Sequence, residues 1–315
     1  MIYSEERVYM NTIIRIQIIS DKGTIFTKNK AREAYFNFEE VVRKFSRFSK
    51  ESELGRLNAS AGKKFIVSKE LFKLVELSIE LANLSQGAFD PTIIDLLEAY
   101  GYDRKQDFVK LNDPTLYEEI KKMIKNRPSY KKIQLDKKNL TIKLAPNQRL
   151  DLGSVGKGYA IDLAYDELRK DFEHFLINAG GDIRVSGLNE HGLYWKIMLF
   201  KGPLPNQGMA TENAIGIVEM EPTRSIACSG GWARRVGAFH HLLSPFDGLP
   251  INVNSQSYVI APTALEADSW STLLFVQGKS ALPTLRSRNL AGLLIDFRGN
   301  ISQSDNFYYS SLEQM

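Results

Sequence analysis

Short β-branched runs separated by turns fill most of the second half of the chain, and they limit the folds that it can adopt. The runs read "FLINA", "DIRVSG", "WKIMLF", "AIGIVEM", "SIACS", "SYVIA" and "AGLLIDF". Runs of this length and composition are typical of strands. These runs follow one another in a long antiparallel-looking series that is separate from the helices. This arrangement favours an α+β fold over a doubly wound parallel sheet. We therefore predict an α+β fold with mostly antiparallel sheets.

The remaining predicted elements are helices, recognised by apolar residues at helical spacing, together with one further strand and a hairpin. A strand, "TIIRIQIIS", precedes a helix in "KNKAREAYFNFEEVVRKFSRF", and Ser68 caps a second helix that ends near Gly87. Further helices are expected over 114–124, from about Val155 to Lys170, and in "TALEADSWSTLLFVQG", and a hairpin is expected to turn at 136–139. With no repeat or low-complexity linker, we predict a single domain over 1–315. Its two lobes would be discontinuous in sequence and share one cleft.

Composition excludes several classes of protein. The chain has 315 residues, a net charge of +4 and one cysteine, Cys228, so an intramolecular disulfide and a Cys-based zinc site are ruled out. No arginine-rich tail or zinc-finger spacing indicates nucleic-acid binding. No segment reaches the ~18 apolar residues of a membrane helix. No signal peptide or lipidation cysteine is visible at the N-terminus. We therefore expect a cytoplasmic protein, or an exported one if a leader precedes this sequence.

A glycine-rich segment with a lysine, "GSVGKG" at 153–158, precedes one predicted helix. It fits neither the P-loop spacing nor the GxGxxG dinucleotide motif. Glycines at a helix N-terminus leave backbone N–H groups and the helix dipole available to an anion. They also permit tight packing while the lysine stays in solvent. The segment is therefore either a phosphate cradle or a packing element.

Three other segments carry candidate functional groups. "GAFDPT" forms a rigid turn with an aromatic ring and a carboxylate, and "NAGGD" brings Gly180, Gly181 and Asp182 to a strand end where backbone can approach a ligand. In "EADSWST", Asp268 and Thr272 lie four residues apart and so share one helical face. Carboxylate and hydroxyl oxygens are ligands that Mg²⁺ accepts. The same spacing also permits a local hydrogen bond between the two side chains.

Together and in this order, these segments resemble the ApbE family, the FAD:protein FMN transferases. The resemblance spans nearly the whole chain and rests on seven motifs: "YMNTIIRIQI", "SRFSKESELGRLN", "GAFDPT", "LDLGSVGKGYAID", "NAGGDIRVSG", "HHLLSPFDGLPI" and "IAPTALEADSWSTLLFVQG". It implies a two-lobed fold with a flavin-nucleotide cleft between the lobes. It also implies transfer of the FMN half of FAD to a Ser/Thr hydroxyl of an acceptor protein, with release of AMP.

The resemblance also assigns roles to individual residues. It implies Mg²⁺ as the cofactor, FAD as a substrate, and an acceptor protein with a Ser/Thr flavinylation motif. The implied metal ligands are Ser154 through backbone oxygen, Asp268 and Thr272, and the implied FAD contacts are Ala88, Phe89, Asp90, Lys157 and Leu242. Breaking a pyrophosphate with a hydroxyl needs charge neutralisation and a base. Asp268 and His241 are the expected catalytic residues, although "FHHLLS" also alternates like a strand in which His240 or His241 simply faces solvent.

Two positions depart from the family pattern. Ser244 stands where the family usually has Asp, and Gly231 stands where it often has a carboxylate. Fewer carboxylates would weaken the metal site or leave His241 less well oriented. Three functions therefore remain open: a flavin transferase, an FAD pyrophosphatase that uses water as acceptor, and an FAD-binding protein without turnover. The segment 103–144 carries no usable motif and is treated as a variable, insertion-like region.

Overall fold

Strands and helices occur along the entire described chain, and the computed structural model describes residues 1–202, 213–232 and 234–312. The strands are β1 (Ile2–Tyr9), β2 (Thr12–Ile19), β3 (Lys64–Ile66), β4 (Gln134–Asp136), β5 (Thr141–Lys143), β6 (His174–Ala179), β7 (Asp182–Ser186), β8 (Trp195–Phe200), β9 (Ala214–Met220), β10 (Ser225–Gly230), β11 (Asn254–Ala261), β12 (Ala291–Asp296), β13 (Ile301–Gln303) and β14 (Ser310–Ser311). The α-helices are α1 (Thr24–Phe45), α2 (Glu53–Ala59), α3 (Lys69–Leu84), α4 (Ile94–Ala99), α5 (Leu116–Asn126), α6 (Gly156–Leu168), α7 (Ala264–Gln277) and α8 (Leu282–Ser287). The α+β class predicted from the sequence is confirmed.

The chain divides into two compact units, each assembled from segments that are distant in sequence. The first unit comprises the described parts of Met1–Val42, Lys157–Trp232 and Val253–Met315, and the second comprises those of Arg43–Gly156 and Ala233–Asn252. In the first unit, the described strands form an antiparallel eight-stranded sheet in the order β1-β2-β6-β7-β10-β11-β12-β13. A three-stranded sheet, β14-β9-β8, belongs to the same unit.

Strand β7 shows how the large sheet separates apolar from charged side chains. Ile183 and Val185 belong to a core that also contains Leu199 and Val218 of the smaller sheet. Because side chains alternate across a strand, Asp182 and Arg184 point to the opposite face. Both charged residues are buried there, so each needs a partner of opposite charge.

Two carboxylates join helices α6 and α7 in a reciprocal arrangement, which we call the helix clasp. The carboxylate of Asp162 in α6 accepts the backbone N–H groups of Ala264 and Leu265 at the start of α7, at 2.8 and 2.9 Å. In return, Asp268 Oδ2 of α7 accepts the backbone N–H of Gly158 at the start of α6, at 2.8 Å. These N–H groups have no partner within their own helices, and the helix dipole favours negative charge beside them.

Gly158 permits the close approach of the two helices. A Cβ atom at this position would lie 2.3 Å from the carbonyl oxygen of Ala264, so only glycine fits against this backbone. The Asp162 carboxylate is balanced by the guanidinium of Arg184, which lies 3.7 Å from the ring centre of Tyr165. The clasp therefore fixes the position of α7, with Asp268 and Thr272, relative to α6.

The second unit contains α2, α3, α4 and α5 and a three-stranded sheet in the order β3-β5-β4. Its described core includes Leu96, Tyr100, Ile120 and Leu243, with Phe239 packed against it. Ser68 accepts the N–H of Leu71 as the side-chain cap of α3, as predicted. In the described part of the chain, no helix is both long and apolar enough to span a membrane.

Several local predictions differ from the structure. Strand β1 is absent from the elements predicted by the sequence, because charged residues such as Glu5 and Arg7 interrupt its apolar positions. The segment "FHHLLS" does not form a regular strand, and its pairing is limited to the isolated bridges Val236–Phe239 and Leu243–Pro250. Pro245 and Pro250 lack the N–H that a strand ladder needs, which accounts for the irregular backbone.

Gly158→Ala tests the close approach within the helix clasp. The added methyl group overlaps a backbone oxygen that cannot rotate away, so we expect the free energy of unfolding to fall by about 3 kcal/mol or more. Gly192→Ala is the control, because Gly192 also lies in the first unit but a Cβ there meets nothing within 4 Å. That control carries only the cost of its positive φ, about 1–2 kcal/mol. Equal losses in urea unfolding would contradict the packing role of Gly158.

Candidate active site

A buried ion cluster occupies the face of the large sheet where β7, α6 and α7 meet. Lys157 Nζ, in the first turn of α6, lies 2.7 Å from Asp182 Oδ2. The other oxygen of Asp182 accepts the backbone N–H of Cys228, at 3.1 Å. Asp182 is almost fully buried, whereas about a quarter of the Lys157 side chain is exposed. The Lys157 ammonium is therefore held by Asp182, while part of the side chain remains exposed to solvent.

Asp268 is the third charged member of this cluster. Burial raises the pKa of its carboxyl well above the usual range, and the neighbouring Asp182 raises it further. Lys157 and the Gly158 N–H act in the opposite direction but do not offset these two effects. Burial lowers the pKa of Lys157, but the carboxylates of Asp182 and Asp268 more than offset this and leave it above its ordinary value. Two carboxylates and one ammonium leave the ionised cluster with a net charge of −1.

Hydroxyl groups continue the polar surface along α7. Thr272 Oγ1 lies 3.1 Å from Ser229 Oγ of β10, which is also 2.9 Å from Ser271 Oγ. Thr272 thus has a hydrogen-bond partner outside α7, and so does Asp268 through Gly158. Of the two interpretations of this spacing, a polar face on α7 describes the contacts better than a local side-chain pair.

The donor set of the cluster suits a hard cation. Buried carboxylates with an unbalanced negative charge, next to hydroxyl oxygens, are the chemistry that Mg²⁺ favours. Within the described ranges, no three His, Cys, Asp or Glu side chains are grouped closely enough to hold a metal. A cation at Asp268 would therefore take its other ligands from hydroxyls, backbone oxygens, water or substrate phosphates.

In the second unit, the predicted flavin-nucleotide segment forms a tight turn after α3. Gly87 adopts a φ of +92°, and Ser85 Oγ accepts the N–H of Phe89 at 2.9 Å. Phe89 is buried, and both oxygens of the buried Asp90 carboxylate have partners inside the protein. Ala88 is only half-buried. Within Ala88–Asp90, Ala88 is therefore the accessible residue, and the Asp90 carboxylate is not accessible.

The segment before α6 places Ser154 in a fixed turn. Asp151 Oδ1 accepts the N–H of Gly153 at 2.8 Å, and Asp151 Oδ2 lies 3.3 Å from Nε of Arg47, whose side chain is 9% exposed. The N–H groups of Val155 and Gly156 donate to the carbonyl of Leu152. Ser154 itself is half-buried. The glycine-rich segment thus has a defined backbone.

The two histidines differ in exposure. His240 is completely buried, and burial followed by the charge of Arg235 lowers its pKa. His241 is half-buried, and its ring centre lies 6.3 Å from that of Tyr102. Leu242 next to it is buried and donates its N–H to His240 Nδ1 at 3.2 Å. His241 is therefore the more accessible histidine of the pair.

The two departures from the family pattern lie in turns with backbone hydrogen bonds. Ser244 exchanges backbone hydrogen bonds with Leu249 and Gly248, and Asp247 Oδ1 accepts the Leu249 N–H in the same turn. Asp247 is exposed and closes this turn. Gly231 follows β10 and donates its N–H to Ser255 O at 3.3 Å.

Comparisons with known proteins agree with this architecture. The sequence model of the ApbE family matches residues 10–294. A relative from Haemophilus influenzae, named FAD:protein FMN transferase, is 29% identical over 299 residues, which cover 91% of this chain and 84% of the relative. The crystal structure of the ApbE protein from Thermotoga maritima is similar, with a TM-score of 0.84, 27% identity and 98% coverage of both chains. The flavin transferase ApbE from Vibrio cholerae shares the fold, with a TM-score of 0.81 at 24% identity and coverage of 98% of this chain and 97% of that one.

The raised pKa of Asp268 predicts a pH dependence of stability. In metal-free buffer, the folded protein keeps a proton that the unfolded chain releases near pH 4. Stability is therefore lost as pH rises from that value through the folded pKa, by about 1.4 kcal/mol for each pH unit that separates the folded pKa from the unfolded one. Asp268→Asn removes this loss and can still accept the Gly158 N–H, so the variant should unfold at a higher temperature than wild type at pH 8.

The comparison requires thermal unfolding of both proteins in a chelator across pH 4–8. The advantage of the variant should shrink toward pH 4, where the wild-type carboxyl is protonated. A variant that is less stable than wild type at pH 8 would show that the Asp268 carboxylate stabilises the metal-free fold.

Proposed function

The chain belongs to the ApbE family, and from that premise we propose that it moves the FMN moiety of FAD to a Ser or Thr hydroxyl of an acceptor protein, with release of AMP and in dependence on Mg²⁺. Relatives that align with most of the chain are named FAD:protein FMN transferases, and the proposal therefore starts from a transferase activity. The observation that carries the proposal is the buried cluster of Lys157, Asp182 and Asp268, in which two carboxyl groups share one ammonium, so that full ionisation leaves one negative charge unbalanced.

Asp268 and Thr272 are the proposed metal ligands of α7. Their oxygen atoms fit Mg²⁺, and the surplus negative charge beside them supplies an electrostatic reason for a cation to bind. The family resemblance adds the backbone oxygen of Ser154 as a third proposed ligand. When bound, Mg²⁺ neutralises phosphoryl charge and stabilises the leaving phosphate.

Lys157 is proposed to contact the pyrophosphate of FAD. About a quarter of its side chain is exposed, and Asp182 holds Nζ in place at 2.7 Å, so that the remaining ammonium hydrogens would be offered to phosphate oxygens. A pinned ammonium loses less side-chain entropy on binding than a free one. Asp182 also keeps the buried amine protonated, because its carboxylate offsets the effect of burial on the Lys157 pKa.

The second unit supplies the remaining proposed roles. His241 is the proposed base that takes the proton from the acceptor hydroxyl, because it is the accessible histidine of the pair. Ala88, Phe89, Asp90 and Leu242 are proposed to line FAD. Since the side chains of Phe89 and Asp90 point into the protein, that turn would contact the nucleotide through Ala88 and backbone.

The phosphoryl chemistry can be tested by AMP release from FAD, measured with and without Mg²⁺ in the presence of candidate acceptor proteins. Wild type should release AMP only with Mg²⁺. Asp268→Ala should lose this activity by at least about 10²-fold while keeping most of its FAD affinity, since Lys157 and the second-unit contacts remain. Asp296→Ala, at the end of β12 where the carboxylate accepts N–H groups of the following exposed turn, is the control and should keep full activity.

Mass spectrometry of the acceptor then separates the possible activities of the site. A covalent FMN adduct identifies the transferase, and AMP without an adduct identifies an FAD pyrophosphatase. Tightly bound FAD without any AMP would leave a flavin-binding protein, and Ser244 and Gly231 would be the first positions to change back. Undiminished AMP release by Asp268→Ala would remove this carboxylate from the mechanism.

A further inference from the structure

Arg127 connects two segments that the proposed function places at FAD. It follows α5 and lies in the segment 103–144, for which the sequence offers no motif. Its side chain is 14% exposed, and its guanidinium has three partners. Nη2 lies 2.9 Å from Asp90 Oδ2 and donates to the Pro245 carbonyl at 3.1 Å, while Nη1 donates to Thr92 Oγ1 at 3.2 Å.

The first connected segment is the turn that contains Ala88 and Asp90. Asp90 Oδ1 accepts the N–H and the hydroxyl of Thr92, at 2.8 and 2.6 Å, and Oδ2 receives Arg127. With its side chain only 3% exposed, the Asp90 carboxylate is committed to shaping the turn. The guanidinium thus holds one of the two Asp90 oxygens that fix the turn.

The second connected segment runs from Phe239 to Pro250 and contains His241. Its Pro245 carbonyl accepts from the same guanidinium nitrogen that pairs with Asp90. Gly248 in this segment lies directly on α5, because a Cβ there would be 2.4 Å from Ile120 Cγ2. On the other side, Gly87 of the turn faces the ring of Tyr130, with a Cβ position 3.4 Å from Cε1. Residues 116–130 therefore support both segments.

We propose that Arg127 is a positioning residue for FAD binding, which holds the Ala88–Asp90 turn and the His241 segment in one fixed arrangement. The inference rests on the proposed function, and Arg127 acts through the two segments rather than by touching the nucleotide. A guanidinium is suited to this role because its planar fork reaches several oxygens at once, whereas a lysine supplies a single point charge. The segment 103–144 is accordingly a structural part of the nucleotide site.

Arg127→Gln and Arg127→Lys test this role through the dissociation constant of FAD, measured by flavin fluorescence in metal-free buffer. Circular dichroism and thermal unfolding establish that each protein is folded at the temperature of the titration. Arg149→Gln is the matched control: Arg149 lies in the same unit and also pairs with carboxylates, those of Asp95 and Glu98, but it contacts neither connected segment.

Folded Arg127→Gln should bind FAD about tenfold more weakly or worse, the effect of losing hydrogen bonds to a charged group. If this variant does not fold, Arg127→Lys keeps a charge near Asp90 and should still raise the dissociation constant about threefold to tenfold. The control should stay within about twofold of wild type. A purely structural role would lower the unfolding temperature and leave the dissociation constant of the folded protein unchanged.

An unchanged FAD dissociation constant in folded Arg127→Gln would overturn the inference. If only Arg127→Lys folds, an unchanged FAD dissociation constant in that variant would do the same. An equal increase of the dissociation constant in Arg149→Gln would also overturn it. Failure of the proposed function is distinguishable: without an FAD site, wild type itself would not bind FAD, and a loss of transfer alone would appear in the AMP and adduct measurements and leave this titration unchanged.

Discussion

The helix clasp is the interaction on which the candidate site depends. Asp162 and Asp268 each accept backbone N–H groups from the start of the other helix, and Gly158 allows the backbones to approach closely enough. This arrangement places the buried carboxyl of Asp268 near a second buried carboxylate, Asp182, while the Asp162 carboxylate stays partly exposed against Arg184. Buried carboxylates need counter-ions, and the chain meets this need differently at the two ends of the clasp.

At one end, Asp162 pairs with Arg184, so one negative charge meets one positive charge. At the other end, Lys157 is the shared counter-ion of Asp182 and Asp268, and one negative charge is unbalanced whenever both carboxyls are ionised. The first pair is balanced, whereas the second group has the surplus of carboxylates on which the proposed cation site rests. Asp162 and the proposed metal ligand Asp268 thus use the same contact between α6 and α7 and differ in their counter-ions.

Structural features that depend only on the spacing of nearby residues can be predicted from the sequence. The strands β6 to β11 and the cap at Ser68 follow from alternation and from a side-chain oxygen at a helix start. Asp268 and Thr272 can be found because their spacing is that of one helical turn. The pairs Lys157–Asp182 and Asp90–Arg127 cannot, because their members are 25 and 37 residues apart along the chain and meet only after the strands and helices have packed. The alternating charges in "DIRVS" are the one available signal, since a buried strand with Asp182 and Arg184 on one face requires partners of opposite charge.

The central claim is that the charge imbalance around Asp268 forms a cation site for phosphoryl transfer. A crystal structure of the protein with FAD and Mn²⁺, examined by anomalous scattering, tests it most directly. The account predicts an anomalous peak at about 2.0–2.2 Å from an Asp268 carboxylate oxygen and Thr272 Oγ1, with FAD phosphate oxygens completing the coordination. A Mn²⁺ peak elsewhere, with Asp268 still bonded only to the Gly158 N–H and facing Lys157, would contradict it.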